Sequence, residues 1–143
     1  MQKGIIIYGP ARVEKIRLAK DIAGTKNRLW FNGLSFFRSR SNFKLQKLTA
    51  ETEVIIFHNI QIKKVKHAIA EFANSTISFY KKGIPTFFTI PKPKVILTVE
   101  SGEFKCPDDA STTARFDFIR LESTDDYYRE YERLLGHPHP ETL

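Results

Sequence analysis

Ile5-Ile6-Ile7-Tyr8-Gly9-Pro10-Ala11-Arg12-Val13-Glu14-Lys15-Ile16 is the stretch on which the reading of the whole chain turns. A short apolar run stops at Gly9-Pro10, and a helical pattern follows, with Val13, Ile16, Ala19, Ile22 and Ala23 on one face and Gly24 at its end. Continuous apolar character, without alternation, belongs to a strand covered on both faces, which a parallel sheet flanked by helices provides. A glycine just past the last periodic residue is a helix stop. The same strand-like character recurs in Val54-Ile55-Ile56-Phe57 and in Val95-Ile96-Leu97-Thr98-Val99. After the first of these a second helical pattern turns Ile62, Val65, Ile69, Phe72 and Ala73 inward and Lys63, Lys64 and Lys66 outward.

Working outward, Arg28-Leu29-Trp30-Phe31 reads as a strand ended by Asn32-Gly33. Thr76 to Tyr80 and Thr86 to Ile90 alternate, and Lys81-Lys82-Gly83-Ile84-Pro85 joins them into a hairpin with a basic tip. Phe116 to Leu121 is a last strand. Tyr127, Tyr131, Leu134 and Leu135 then mark a terminal helix, capped by Ser123 or Thr124, with acids in its first turn and Gly136 closing it. The expectation is an α/β three-layer sandwich: a mostly parallel five-stranded sheet with an inserted β-hairpin. One domain spans residues 1–136, and residues 137–143 form a flexible tail. His137 and His139 lack a third ligand there, so no metal site is expected.

A chain of 143 residues with 41% hydrophobic and 27% charged residues supports one globular core and excludes disorder as the default. The single cysteine, Cys106, excludes an intrachain disulfide and a cysteine metal cluster. The apolar run near the N-terminus is too short for a signal peptide or a membrane span, so a cytoplasmic protein with no membrane partner is expected. The net charge of +7 conceals a division. Residues 1–99 hold 18 Lys/Arg and 5 Asp/Glu, whereas residues 100–143 hold 5 and 11. A basic body with an acidic end points to phosphate contact, in a nucleotide or a nucleic acid, or to an acidic segment that packs on the body.

Gly9 and Lys15 stand at the spacing of the phosphate loop, G-x-x-x-x-G-K-[ST]. In that motif backbone N–H groups and a helix N-terminus surround the phosphates, the lysine neutralises them, and the hydroxyl holds magnesium. Here Glu14 replaces the second glycine, adding a Cβ where the backbone needs freedom. Its carboxylate also opposes a phosphate: at ~4 Å and an effective dielectric near 20, like charges cost about 4 kcal/mol. Ile16 replaces the hydroxyl and cannot bind magnesium.

In the order and spacing of these segments, residues 3–121 resemble the AAA+ ATPases, and within them the superfamily 3 helicases and the primase-helicases of phages and mobile elements. The resemblance implies a P-loop NTPase-type sheet in which the strand from Ile5 lies beside that from Val95, itself a neighbour of that from Val54. Glu53 to Asn59 is similar to the Walker B strand, with His58 and Asn59 where the family has two acids for magnesium and the attacking water. The Lys81-Lys82-Gly83 hairpin resembles the segment before sensor 1, which carries a basic residue to single-stranded DNA. Lys94 to Ser101 resembles the sensor 1 strand, with Glu100 in place of asparagine. Arg115 survives in an arginine-then-strand element. Neither the helical collar nor the full lid of such helicases is expected beside this core, which puts autonomous ring assembly outside the expectation.

Phosphoryl transfer depends on positioning and on a metal that offsets developing charge. With the glycine, the hydroxyl, both acids and the asparagine replaced together, the expectation is no catalytic residue, no cofactor and no ATPase turnover. Gly9, Glu14, Lys15, Ile16, His58, Asn59, Glu100 and Arg115 are then the vestige of a nucleotide site. Single-stranded nucleic acid is the first expected partner, through Lys81 and Lys82, the Lys63/Lys64/Lys66 face, and Arg38 and Arg40 within Phe36–Lys44. Rings beside guanidiniums suit base stacking and phosphate tracking, unless Phe36 and Phe37 turn inward from a surface loop. A protein partner, docking of the domain on an active ATPase relative, is the alternative. Residual nucleotide binding through Lys15 is a third reading.

Overall fold

The computed structural model describes residues 3–99 and 103–142. In chain order the elements are β1 (Gly4–Tyr8), α1 (Lys15–Ala23), β2 (Arg28–Asn32), α2 (Gly33–Arg38) and β3 (Val54–Ile60), then α3 (Val65–Glu71) after a 3-10 turn at Ile62–Lys64. β4 (Thr76–Phe79), β5 (Phe88–Pro91), β6 (Lys94–Val99), α4 (Ala110–Arg115), β7 (Phe116–Arg120) and α5 (Thr124–Leu135) complete the fold, with a last 3-10 turn at Pro140–Thr142.

Five strands form one sheet in the order β2-β3-β6-β1-β7, and every pairing in it is parallel. β4 and β5 pair antiparallel as a separate hairpin, with Thr76 opposite Pro91 and Phe79 opposite Phe88. The strand from Ile5 therefore lies beside that from Val95, which neighbours that from Val54. Successive side chains of a strand point to opposite faces, and each face has its own core. Ile6, Ile55, Phe57, Val95 and Leu97 pack with α2, α3 and the hairpin on one side. Ile5, Ile7, Val54, Ile56 and Ile96 pack with α1 and α5 on the other. Two buried faces account for the unbroken apolar runs of β1, β3 and β6.

Three sequence expectations are corrected. Ile62 does not point inward: it is 41% exposed in the 3-10 turn that precedes α3, whereas Val65 and Phe72 are buried as expected, with Ala68 beside them. Phe36 and Phe37 do turn inward, but from a helix and not from a surface loop. Asn32 caps α2 by accepting from the Ser35 N–H at 3.1 Å, and the helix drives both rings against Phe57. Residues 137–142 are not a frayed tail, since His139 is buried at 7% exposure against the rings of Tyr127, Tyr128 and Tyr131. Among the described residues no helix is long and apolar enough to cross a membrane.

Candidate phosphate-loop site and basic hairpin

The turn after β1 is built on a close approach. Gly9 has φ +150, and a Cβ there would lie 1.8 Å from the Leu121 carbonyl oxygen. Glycine alone lets the chain pass, while the Leu121 N–H donates to the Tyr8 carbonyl at 2.9 Å and ties the turn to the end of β7. Arg12 and Glu14 then both take left-handed backbone conformations, at φ 65 and φ 72. Glu14 is the N-cap of α1 and receives no hydrogen bond on its side chain from the helix end; its carbonyl accepts from the Leu18 N–H at 3.0 Å.

Lys15, at the first position of α1, is buried at 7% exposure. Its ammonium donates to the Gly9 carbonyl at 3.0 Å and the Pro10 carbonyl at 2.6 Å. The lysine thus folds back onto its own loop, and an incoming phosphate has to compete with two carbonyls for it. Beside it lies an open depression of about 280 Å³ bordered by Arg12, Glu14, Lys15, Ile16, Arg17 and Asn59. Asn59 enters from the end of β3, where a register shift and φ 61 turn the chain. Its N–H donates to the hydroxyl of Thr98 on β6 at 2.9 Å.

The fold thereby joins Gly9, Glu14, Lys15, Ile16 and Asn59. His58, next to Asn59, lies against Trp30 of β2, with ring centroids 4.9 Å apart. Arg115 is elsewhere. In the β1–β7 register Gly4 faces Phe116 and Tyr8 faces Arg120, so Arg115 stands at the far end of the sheet, roughly 16 Å along the strand from the loop. It borders a different depression with Lys66, Asp109 and Thr112, and its cationic charge, after burial itself, pulls the Lys92 pKa down. Grouping it with the loop residues in one site is corrected by the parallel register. Glu100 lies outside the described residues.

One part of the site had no sequence signal. Arg17, in the first turn of α1, binds Glu141 of the tail at 2.6 Å, faces Glu14 at 3.8 Å and lies over the Tyr127 ring at 5.0 Å. The Tyr128 hydroxyl donates to the other Glu141 oxygen at 2.8 Å. These donors hold the Glu141 carboxyl below its usual range, Tyr128 first and Arg17 second. Contacts spanning more than a hundred residues have no local pattern, so no spacing in the sequence announces them.

The basic groups are dispersed. Lys63, Lys66, Arg38 and Arg40 are exposed and Lys64 is half-buried. At the hairpin tip Gly83 turns the chain at φ 82, Lys82 is exposed, and the Lys81 ammonium lies 5.3 Å from the centre of the Phe88 ring. Tyr80, Ile84, Phe87 and Phe88 are exposed around them, Phe87 by 57%. Four exposed large apolar residues in so short a loop form a patch rather than scattered surface residues. Among the described residues no group of three or more His, Cys, Asp or Glu is arranged to hold a metal.

No protein-family model matches the chain, and no curated protein does.

Proposed function

We propose that this chain is a P-loop ATPase-like domain without turnover that binds single-stranded nucleic acid through its β4–β5 hairpin, as an accessory of a replication or mobile-element system. The observation that carries the reading is the hairpin tip, where Lys81 and Lys82 stand among the exposed rings of Tyr80, Phe87 and Phe88. Rings stack on bases and ammonium groups neutralise phosphates, the two components of single-strand binding. The strand order supports the P-loop side of the proposal, because β6 lies between β1 and β3 as the resemblance implies. So does a loop after β1 that places Lys15 at a helix N-terminus. The absence of turnover follows from the groups around that loop. Ile16 offers magnesium no oxygen, Asn59 is a neutral amide, and Lys15 is engaged by its own loop.

Titrating a labelled oligo-dT strand and ATP separately, at low and moderate salt, tests both halves. Oligo-dT is expected to bind with a steep salt dependence. Replacing Lys81 and Lys82 by alanine is expected to weaken it and to flatten the log–log salt slope by about one to two units. Magnesium-dependent ATP turnover in the wild type that disappears in Lys15→Ala would sink the first half. The exposure of Phe87 and Ile84 favours one second reading, in which the tip docks on an ATPase relative. Unchanged affinity for oligo-dT in the folded double variant selects that reading instead.

A further inference from the structure

The outer edge of β2 carries a groove of its own. β2 pairs with β3 and, among the described residues, with no other strand, so one side of it is uncovered. The segment 39–47 and the hairpin residue Lys82 rise alongside and enclose about 370 Å³. That is the size of an ordinary small-ligand pocket. Its walls include Phe31, Phe43, Lys44, Gln46, Lys47 and Lys82, and among the described residues no Asp or Glu lines it. Lys44 is partly engaged, 4.4 Å from the centre of the Phe36 ring and 3.9 Å from the Glu71 carboxylate. Lys47 and Lys82 are exposed.

Trp30 belongs to the same edge. It alternates to the opposite side of β2 from Leu29 and Phe31 and stands at the rim of the groove, 37% exposed. The His58 ring at 4.9 Å and the Lys20 ammonium at 5.2 Å hold it in place. A ring already fixed loses little entropy when something stacks on it.

We propose that this β2-edge groove is a binding site for single-stranded nucleic acid, with Trp30 and Phe43 offering ring faces to bases and Lys47 and Lys82 meeting the adjoining phosphates. The assignment rests on the nucleic-acid reading above and deepens it. Lys82 belongs both to the hairpin tip and to the groove, so a strand held at the tip is led to β2. The charged residues of the lining are all lysines and select a polyanion, and the aromatic component selects one with flat unpaired faces. A duplex keeps its base faces inside the stack and has none to give.

Trp30 is the only tryptophan of the chain and reports on the site directly. Oligo-dT is titrated at low salt, following its own label by anisotropy and Trp30 by intrinsic fluorescence, with Trp30→Ala and Lys47→Ala as variants and circular dichroism as the folding check. The expected result is a saturable change in Trp30 emission with the midpoint of the anisotropy curve. Trp30→Ala is expected to lose about tenfold in affinity, the scale of one stacked base, and Lys47→Ala a smaller factor that shrinks with added salt. Binding by anisotropy with unaltered Trp30 emission and wild-type affinity in both variants overturns the groove and leaves the hairpin proposal standing. Displacement of the strand by poly-glutamate at equal charge concentration overturns the stacking assignment in favour of an acidic peptide. Absence of any strand binding by the wild type overturns the parent reading, and the groove with it.

Discussion

Glu14 occupies the left-handed region at φ 72 and ψ 31, where a side chain costs roughly 1–2 kcal/mol relative to the right-handed helix. Its compensation is the partly exposed pair with Arg17 at 3.8 Å, and pairs near the surface contribute little. Glu14→Gly is therefore expected to stabilise the domain by about 0.5–1 kcal/mol, once the greater freedom of unfolded glycine is subtracted. Chemical denaturation would show this as a higher midpoint at unchanged slope. Adding Ile16→Thr is expected to leave ATP turnover at background, because Asn59 and His58 still supply no acid for a metal or a water. Gly9→Ala is the opposite case. Its Cβ would meet the Leu121 carbonyl at 1.8 Å in a backbone conformation already unfavourable for alanine, so a loss of about 2–4 kcal/mol is expected in the same measurement. Both positions were legible from motif spacing, which located the strained turn. The retraction of Lys15 onto Gly9 and Pro10 was not, since a spacing records which residue arrives and not what it bonds.

Elements with a full period were readable, and those without one were not. The buried strands announced themselves because both of their faces are covered, and α5 because Tyr127, Tyr131 and Gly136 fall where a capped amphipathic helix needs them. α2 and α4 have six residues each, under two turns, too few for a 3.6-residue period to emerge. α2 therefore looked like an aromatic–basic loop, and Phe36 and Phe37 were open to a stacking role that burial removes. The tail is the clearest case of tertiary structure deciding the matter. Its Glu141 carboxylate accepts from Tyr128 and Arg17, and both donors favour the ionised form. A depressed carboxylate contributes stability above its unfolded pKa and loses it as pH falls through the lower folded value. Docking of residues 137–142 is accordingly expected to hold at neutral pH and to weaken in the acid range. Glu141→Gln should loosen the tail already at neutral pH and remove this component of the acid dependence. Hydrogen exchange at the Thr142 amide, which donates to the His139 carbonyl at 2.9 Å, reads the effect. Equal protection in wild type and variant at neutral pH would contradict it.

Across the molecule, the division of charge seen along the sequence becomes a division between the two edges of the sheet. The strand order places β2 at one edge and β7 at the other. Arg28 lies on β2, and Arg38, Arg40, Lys44 and Lys47 follow in the segment beside it; Asp117 lies on β7, with Glu122, Asp125 and Asp126 directly after. The asymmetry of composition was legible from the start, but its direction in space required the crossover connections that send the C-terminal strand beside β1. Four inter-strand spacings separate the edges, about 19 Å. The Debye length is ~10 Å at 0.1 M salt and ~30 Å at 0.01 M. Local contact and overall charge are therefore separable by two substitutions that alter net charge equally, Lys47→Glu on the basic side and Arg120→Glu on β7. If single strands bind along β2, Lys47→Glu is expected to weaken oligo-dT about tenfold at 0.1 M salt, while Arg120→Glu changes it less than about twofold. At 0.01 M the remote charge is screened much less, and the two variants should move closer together. Equal weakening at 0.1 M would mean that attraction to the whole charge, rather than contact at the β2 edge, brings the strand to this protein.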